Sequence, residues 1–514
     1  MRIGARFYFV IAVAVSVCPF PWFAPTRAQV ASTISFSAAS YNVREGDGQA
    51  SVMVTRTGDT SGEASVDYAT SEGTASRRSD FTPAFGTLRF APGETMKTFS
   101  VLITDNFVAE AGETVDLMLF NATGGTTLVS PDAAVLNISD DDSGSSTVNP
   151  MDDARTFVRQ QYHDFLNREP DESGLNFWVN QIESCGADPQ CREVKRTNVS
   201  AAFFLSIEFQ ETGYFAFRLY RFYFAQAWPI WREFMRDVQE LSRGVVVGQP
   251  GWEEKLAANK RVFVEDWYAR HRVVLESQLN GGRSSLTNEQ YVSALYQKVN
   301  ITPSDAERQA LVNGLNSGTE TRASALGKVA DNSELIRREF NGAFVVMQYF
   351  GYLRREPDSG GYLFWRDKLN QFNGNFVDAE MVKAFLVSTE YRQRLTQSEA
   401  LPEAFFEIGD STRPERFIIK LNDEARIAEA RSLVGGRTLS TNGIVVKERI
   451  YYNRAWRYHL EPGSIGFADV TVEECETGMM AVENDLEAVG GAFLFGNFMC
   501  LGGQILREVP PPPR

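Results

Sequence analysis

Side-chain nucleophiles and zinc both need histidine, cysteine or a serine–base pair gathered closely, and this chain is poor in such sets. Its three histidines, His163, His271 and His459, lie far apart in sequence, unlike the clustered ligands of a zinc site. No G-x-S-x-G or H-E-x-x-H motif occurs, nor any Ser/His/Asp or Cys/His grouping. His459 with Glu473 and Glu474 invites acid–base chemistry, but a lone histidine in a strand is usually a hydrogen-bonded structural one. Of five cysteines, four form two local pairs. Cys185 and Cys191 flank G-A-D-P-Q, and Cys475 and Cys500 share a later segment. This even count predicts two local disulfides, Cys185–Cys191 and Cys475–Cys500, in an oxidising compartment.

The first 28 residues have the layout of a secretory signal peptide. Arg2 and Arg6 precede F-Y-F-V-I-A-V-A-V-S-V, and Thr26-Arg27-Ala28 is a small-residue cleavage site. Cleavage would remove three arginines and no acid, moving the formal charge from −15 to −18. An exported chain this acidic repels nucleic acid and anionic lipid and attracts cations. No later stretch is apolar for long enough to span a bilayer, so the mature chain is expected to carry no transmembrane segment.

Three rhythms follow. Residues 31–142 alternate in short runs rich in Val, Ile, Thr and Phe between Gly/Pro/Asp turns, which predicts an antiparallel β-sandwich. Ser143–Pro150, S-G-S-S-T-V-N-P, reads as a linker. From 151 to 397 the spacing is helical: Phe157, Val158, Tyr162, Phe165 and Leu166 share one face. Within this region the chain repeats itself, N-R-E-P-D-E-S-G-L-N-F-W at Asn167–Trp178 and R-R-E-P-D-S-G-G-Y-L-F-W at Arg354–Trp365. Pro170 should stop one helix, Asp171 or Ser173 should cap the next, and Trp178 and Trp365 should join the buried stripe. A fainter copy at Tyr291–Leu315 loses R-E and the tryptophan, which a structural joint tolerates and a catalytic motif does not. Helical copies are therefore expected near 155–210, 289–338 and 341–395. The aromatic run Tyr214–Trp231 reads as a core helix whose arginines snorkel outward. After a break around Ser398–Pro414, residues 415–509 mix strand and helix patterns as a small α+β module, and 510–514 is a polyproline tail.

The sandwich region resembles a Calx-beta domain. Y-N-V-R-E-G-D-G-Q-A-S-V-M-V-T-R-T-G, S-D-F-T-P-A-F-G-T-L-R-F-A-P-G-E-T, A-E-A-G-E-T-V-D-L-M-L and the closing I-S-D-D-D carry the likeness, in family order. The resemblance implies an immunoglobulin-like fold that in some members binds Ca2+ at one end. The family's ligand positions fall on Glu45, Asp80, Asp105, Glu110, Glu113, Asp140, Asp141 and Asp142. Thr104-Asp105-Asn106 stands where binding members often have consecutive aspartates, which implies weak affinity, roughly 10⁻⁴–10⁻³ M. The helical phrases resemble an uncharacterised bacterial family found in exported proteins, similar in pattern to helical linker polypeptides. The last hundred residues resemble a small α+β module of other secreted proteins.

These readings favour a secreted or cell-envelope multidomain interaction protein without catalytic activity. Its partners would be other envelope or matrix proteins or glycans, and no nucleic acid. An exported enzyme with its active site in the C-terminal module is the alternative, and a carbohydrate binder using Trp178 and Trp365 is a third.

Overall fold

The computed structural model describes residues 31–512 except 108, 143–148, 224–227, 282–284, 397–401, 410–413, 437, 448, 469–478, 485 and 487–497. The leader, most of the linker, Glu473, Glu474 and Cys475 thus lie outside the described residues. The Cys475–Cys500 bond does too.

The alternating region folds as an immunoglobulin-like sandwich of ten strands. They are β1 (Thr33–Phe36), β2 (Ser40–Arg44), β3 (Gln49–Thr57), β4 (Ala64–Glu72), β5 (Phe81–Thr82), β6 (Phe85–Phe90), β7 (Met96–Ile103), β8 (Glu113–Phe120), β9 (Thr127–Leu128) and β10 (Ala133–Ser139). Sheet order is β5-β7-β3-β1-β9 against β2-β10-β8-β4-β6. Alternate residues such as Ile34, Val52, Val66, Leu88, Val101, Val115 and Leu136 fill the space between the sheets, as a period of two requires. The expected antiparallel pattern has two exceptions: β1 pairs with β9, and β2 with β10, in parallel. Each joins strands far apart in sequence, so the chain has room for the long crossover that parallel pairing needs.

Helices follow: α1 (Ala154–Gln161), α2 (Glu172–Glu183), α3 (Pro189–Phe204), α4 (Ile207–Phe209), α5 (Phe215–Tyr223), α6 (Trp231–Ser242), α7 (Trp252–Asn280), α8 (Asn288–Lys298), α9 (Asp305–Ser317), α10 (Arg322–Ala330), α11 (Ser333–Gln348), α12 (Ser359–Gln371), α13 (Met381–Leu386) and α14 (Thr389–Gln393). The repeated phrase is an inter-helix joint both times. In each copy a π-helical turn, Tyr162–Leu166 or Tyr349–Leu353, ends on a residue at positive φ, Asn167 or Arg354. After the proline, the Asp171 carboxylate accepts the Gly174 N–H at 2.9 Å and Asp358 accepts that of Gly361 at 2.7 Å, capping α2 and α12. The glycines are small for a reason. A Cβ at Gly174 would stand 2.6 Å from the Tyr162 hydroxyl, and one at Gly361 would meet that of Tyr349. The arginine of each phrase reaches forward, Arg168 to Glu208 at 3.0 Å and Arg355 to Glu390 at 2.7 Å. It thereby ties the joint to α4 or α14.

Two expectations need correction. Trp178 and Trp365 are half-buried, not core: beyond its own helix each leans on a phenylalanine, Phe203 or Phe385, at 5.7 and 5.9 Å between ring centroids. Their neighbours Phe177 and Phe364 are 55% and 58% exposed, because the stripe of α2 and α12 is only wide enough for Leu175, Ile182 and Leu369. Arg218 does not snorkel. It is buried in α5, donating to the Ala330 carbonyl at 2.6 Å and pairing with Asp331 at 2.7 Å. The Cys185–Cys191 disulfide is present, closing the turn between α2 and α3.

The last sheet runs β12-β11-β16-β13-β14, with β15 beside β13. Its elements are β11 (Ala404–Gly409), β12 (Arg416–Leu421), α15 (Glu424–Leu433), β13 (Leu439–Val446), β14 (His459–Leu460), β15 (Gly466–Ala468), α16 (Met479–Asn484) and β16 (Phe498–Val509). Strand β11 lies inside the expected break; its run A-F-F-E-I-G is buried on both faces and so shows no alternation.

The three regions are not beads on a string. One apolar core runs through the helices and takes in Ala69, Phe85, Met118 and Phe120 from the sandwich and Phe405, Ile450, Tyr451 and Tyr452 from the last region. Polar joints reinforce it. Arg354 donates to the Phe81 carbonyl and the Thr82 hydroxyl, both at 2.7 Å, and to Asp164 at 3.0 Å. Arg394 grips the same fully buried carboxylate from the other side at 2.9 Å. Lys420 of β12 lies 3.6 Å from Asp116 of β8.

Candidate metal centre

Eight acids sit at one end of the sandwich because each lies at a strand end or in a loop there. Glu45 follows β2, Asp80 precedes β5, Asp105 follows β7, Glu110 lies in the next loop, Glu113 begins β8, and Asp140, Asp141 and Asp142 follow β10. The parallel pairing of β2 with β10, Ser139 opposite Arg44, brings Glu45 beside the final aspartates.

The acids divide into two groups whose carboxylate oxygens lie within 4.8 Å of one another, Glu45 with Asp105 and Asp142, and Asp80 with Glu110 and Glu113. Asp140 and Asp141 belong to neither. Asp140 accepts the Glu110 and Asp142 N–H groups, both at 2.8 Å, and Asp141 accepts the Gly46 N–H at 3.2 Å. These two aspartates fold the loops. Asn106, fully buried, donates to Glu110 at 2.6 Å and so orients a carboxylate rather than merely lowering the charge.

So many acids at close quarters disfavour their own ionisation. Burial first, then Glu110, Asp80, Asp140 and Asp105, pushes Glu45 up to about 9. Burial and then Asp80 pushes Glu113 up to about 10, and burial raises Asp80 itself. Burial, partly offset by the Asn106 hydrogen bond, lifts Glu110 to about 7. The carboxylates of Asp80 and Glu113 lie within 4.8 Å of each other, so each opposes the other's negative charge.

Glu45 Oε2, Glu113 Oε2 and Asp142 Oδ2 are buried without a hydrogen-bond partner among the described residues. A buried acceptor left unmade costs about 1–3 kcal/mol, more when charged. Hard cations taking oxygen ligands in the two groups would satisfy these acceptors and compete with protons for the carboxylates, so the donor set fits Ca2+. Neither group contains a histidine or cysteine.

Across a cavity of about 420 Å3 the acidic end faces the helical region. Burial first and then Asp142 raise the pKa of Asp105, and Arg159 of α1 opposes them; Arg159 also pairs with Glu169 of the first repeated phrase at 2.9 Å. Glu169 also bonds His163. The family resemblance marked the acids but gave no sign of Arg159, whose contact crosses a region boundary. Of the other histidines, His271 donates from Nδ1 to the Trp267 carbonyl at 2.8 Å, and His459 is buried in β14.

Residues 28–142 match the family described as Calx-beta domain, 144–212 the Domain of unknown function (DUF4214), and 402–512 the BP-74 N-terminal domain. The sodium/calcium exchanger Calx of Drosophila melanogaster is 40% identical over 107 residues, which are 21% of this chain and 11% of the exchanger. The chain therefore spans about a tenth of that relative. The apo-form Calx CBD1 domain is 38% identical, with a TM-score of 0.22, over 22% of this chain and 99% of that one. CBD12 from CALX1.2 is 39% identical, with a TM-score of 0.21, over 21% of this chain and 45% of that one.

Proposed function

We propose that this chain, whose residues 28–142 belong to the Calx-beta family and are followed by a DUF4214 region and a BP-74 N-terminal domain, is a calcium-dependent interaction protein without catalytic activity. The observation that carries the calcium reading is the trio of unpartnered buried carboxylate oxygens on Glu45, Glu113 and Asp142. Glu45, Asp105 and Asp142 would hold one ion, and Asp80, Glu110 and Glu113 a second position. Affinity would lie at the weak end for extracellular modules, ~10⁻⁴–10⁻³ M, since Asn106 stands where another acid would add charge. The leader-like N-terminus and the Cys185–Cys191 disulfide support export to an oxidising compartment. There the partners would be envelope or matrix proteins or glycans.

Calorimetric titration of the full chain with Ca2+ and with Mg2+ tests the reading. Saturable Ca2+ binding is expected, with Mg2+ much weaker because it demands a tighter octahedron. Glu45→Gln should remove the ion held with Asp105 and Asp142 and so lower the stoichiometry. No heat at millimolar Ca2+ would leave the acids as a solvated loop cluster. The full chain is the right sample, since a 30–146 fragment would expose Phe85, Met118 and Phe120.

A further inference from the structure

On the far side of the sandwich, β4, α6, α7 and the β13 segment enclose a cavity of about 530 Å3 whose lining, among the described residues, inverts the charge balance of this acidic protein. Helix α6 contributes Arg232 and Arg236, and α7 contributes Arg270 and Arg272. Lys447, Arg449 and Arg457 come from the last region. Against these seven cations the lining holds, among the described residues, three acids, Asp67, Glu233 and Glu461. Some of the cations are committed: Arg270 to the buried Asp237 at 2.7 Å, Arg236 to Asp67 at 3.4 Å and Arg457 to Glu483 at 2.7 Å. Arg272, Lys447 and Arg449 have no carboxylate partner among the described residues. The same walls carry apolar groups, Ile230, Val273, Ile444 and Leu486, and Val273 is 66% exposed.

We propose that this cavity binds a small organic oxyanion, a phosphate or sulfate ester, whose charged group meets Arg272, Lys447 and Arg449 and whose apolar body lies on Ile230 and Val273. Guanidinium groups present planar forks that match such oxyanions, and an ammonium adds a point charge. A cleft between domains, mixed apolar and polar and of this volume, is the common setting for a small ligand. The local field agrees. His271, on the same wall, is held well below the usual histidine value by burial first and then by Arg270, Lys447 and Arg236.

The test uses the full chain in chelator, so that no calcium bridges the anion to the acidic end. Binding of 4-nitrophenyl phosphate, 4-nitrophenyl sulfate, inorganic phosphate and 4-nitrophenol is compared by equilibrium dialysis. At least one ester should bind, inorganic phosphate at least tenfold more weakly, and 4-nitrophenol not at all. Whichever ester binds better identifies the oxyanion. The double variant Lys447→Gln/Arg449→Gln, and separately Arg272→Gln on the opposite wall, should weaken the ester at least tenfold without changing the melting temperature. The proposal is overturned if neither ester binds at millimolar concentration, if inorganic phosphate binds as well as the esters, or if both variants bind like wild type.

Discussion

Glu45 shows how a single side chain reports on the ion. It is 1% exposed, its pKa is pushed up to about 9, and one oxygen is unpartnered. In the unfolded chain it would ionise near 4.3. Between those values the metal-free folded protein holds more protons than the unfolded chain, and the same is true of Glu113 at about 10. Stability in chelator is therefore full below the ordinary carboxylate range and is lost as pH rises through the folded values. The melting temperature in chelator should fall from about pH 5 to pH 9, and saturating calcium should flatten that slope. A chelated protein that grows more stable over this range would contradict the cluster. Glu45→Gln should raise the melting temperature in chelator while reducing its response to calcium, an opposite pair of effects that a plain structural loss cannot produce. Asp140→Ala should instead loosen the loop with or without the ion. The resemblance to Calx-beta domains pointed to all eight acids from the sequence. The division between ligand-like and loop-folding aspartates was not legible there, because it depends on which oxygens backbone N–H groups already occupy.

Among elements, the repeated phrase is where sequence and fold agree best and where small volumes matter. Gly174→Ala would push a methyl group against the Tyr162 hydroxyl, at a cost of about 1–3 kcal/mol as an overpacked site. Tyr162→Phe should recover much of that loss, and a double-mutant cycle by chemical denaturation would show the coupling. Additive losses would place the strain elsewhere. Trp178→Ala should cost less than the ~3–5 kcal/mol of a fully buried aromatic, since its indole is only half covered. The pattern of Pro, Asp and Gly revealed the turn because those residues act locally. It could not fix the depth of the tryptophans, which depends on how closely α3 and α13 approach. Strand β11 escaped notice for the converse reason, being buried on both faces.

For the whole molecule, the shared core argues for one cooperative unit. Calorimetry should show a single unfolding transition that calcium moves as a whole, by ~2.7 kcal/mol at a hundredfold excess over the dissociation constant. A separate helical transition indifferent to calcium would break that view. Arg354→Met should uncouple the regions, because its donors end on sandwich carbonyls and on Asp164 and one partner's loss leaves the carboxylate under-compensated. The sequence did hold a hint of this packing in L-M-L-F of β8, a run with no polar face, but it could not say what would cover the second side.

The parallel pairing of β2 with β10 has a mechanical consequence. The chain enters the sandwich through β1 and then β2 and leaves just after β10, so tension that reaches β2 slides it past β10 along the strand axes. Their ladder, from Ser40 opposite Val135 to Arg44 opposite Ser139, is loaded in shear, all rungs together, instead of being unzipped one at a time. Glu45 and Asp142 stand at the end of that ladder where the load leaves, and an ion between them would act as a rivet. Pulled by its ends in a force spectrometer, the protein should yield at a higher force in calcium than in chelator.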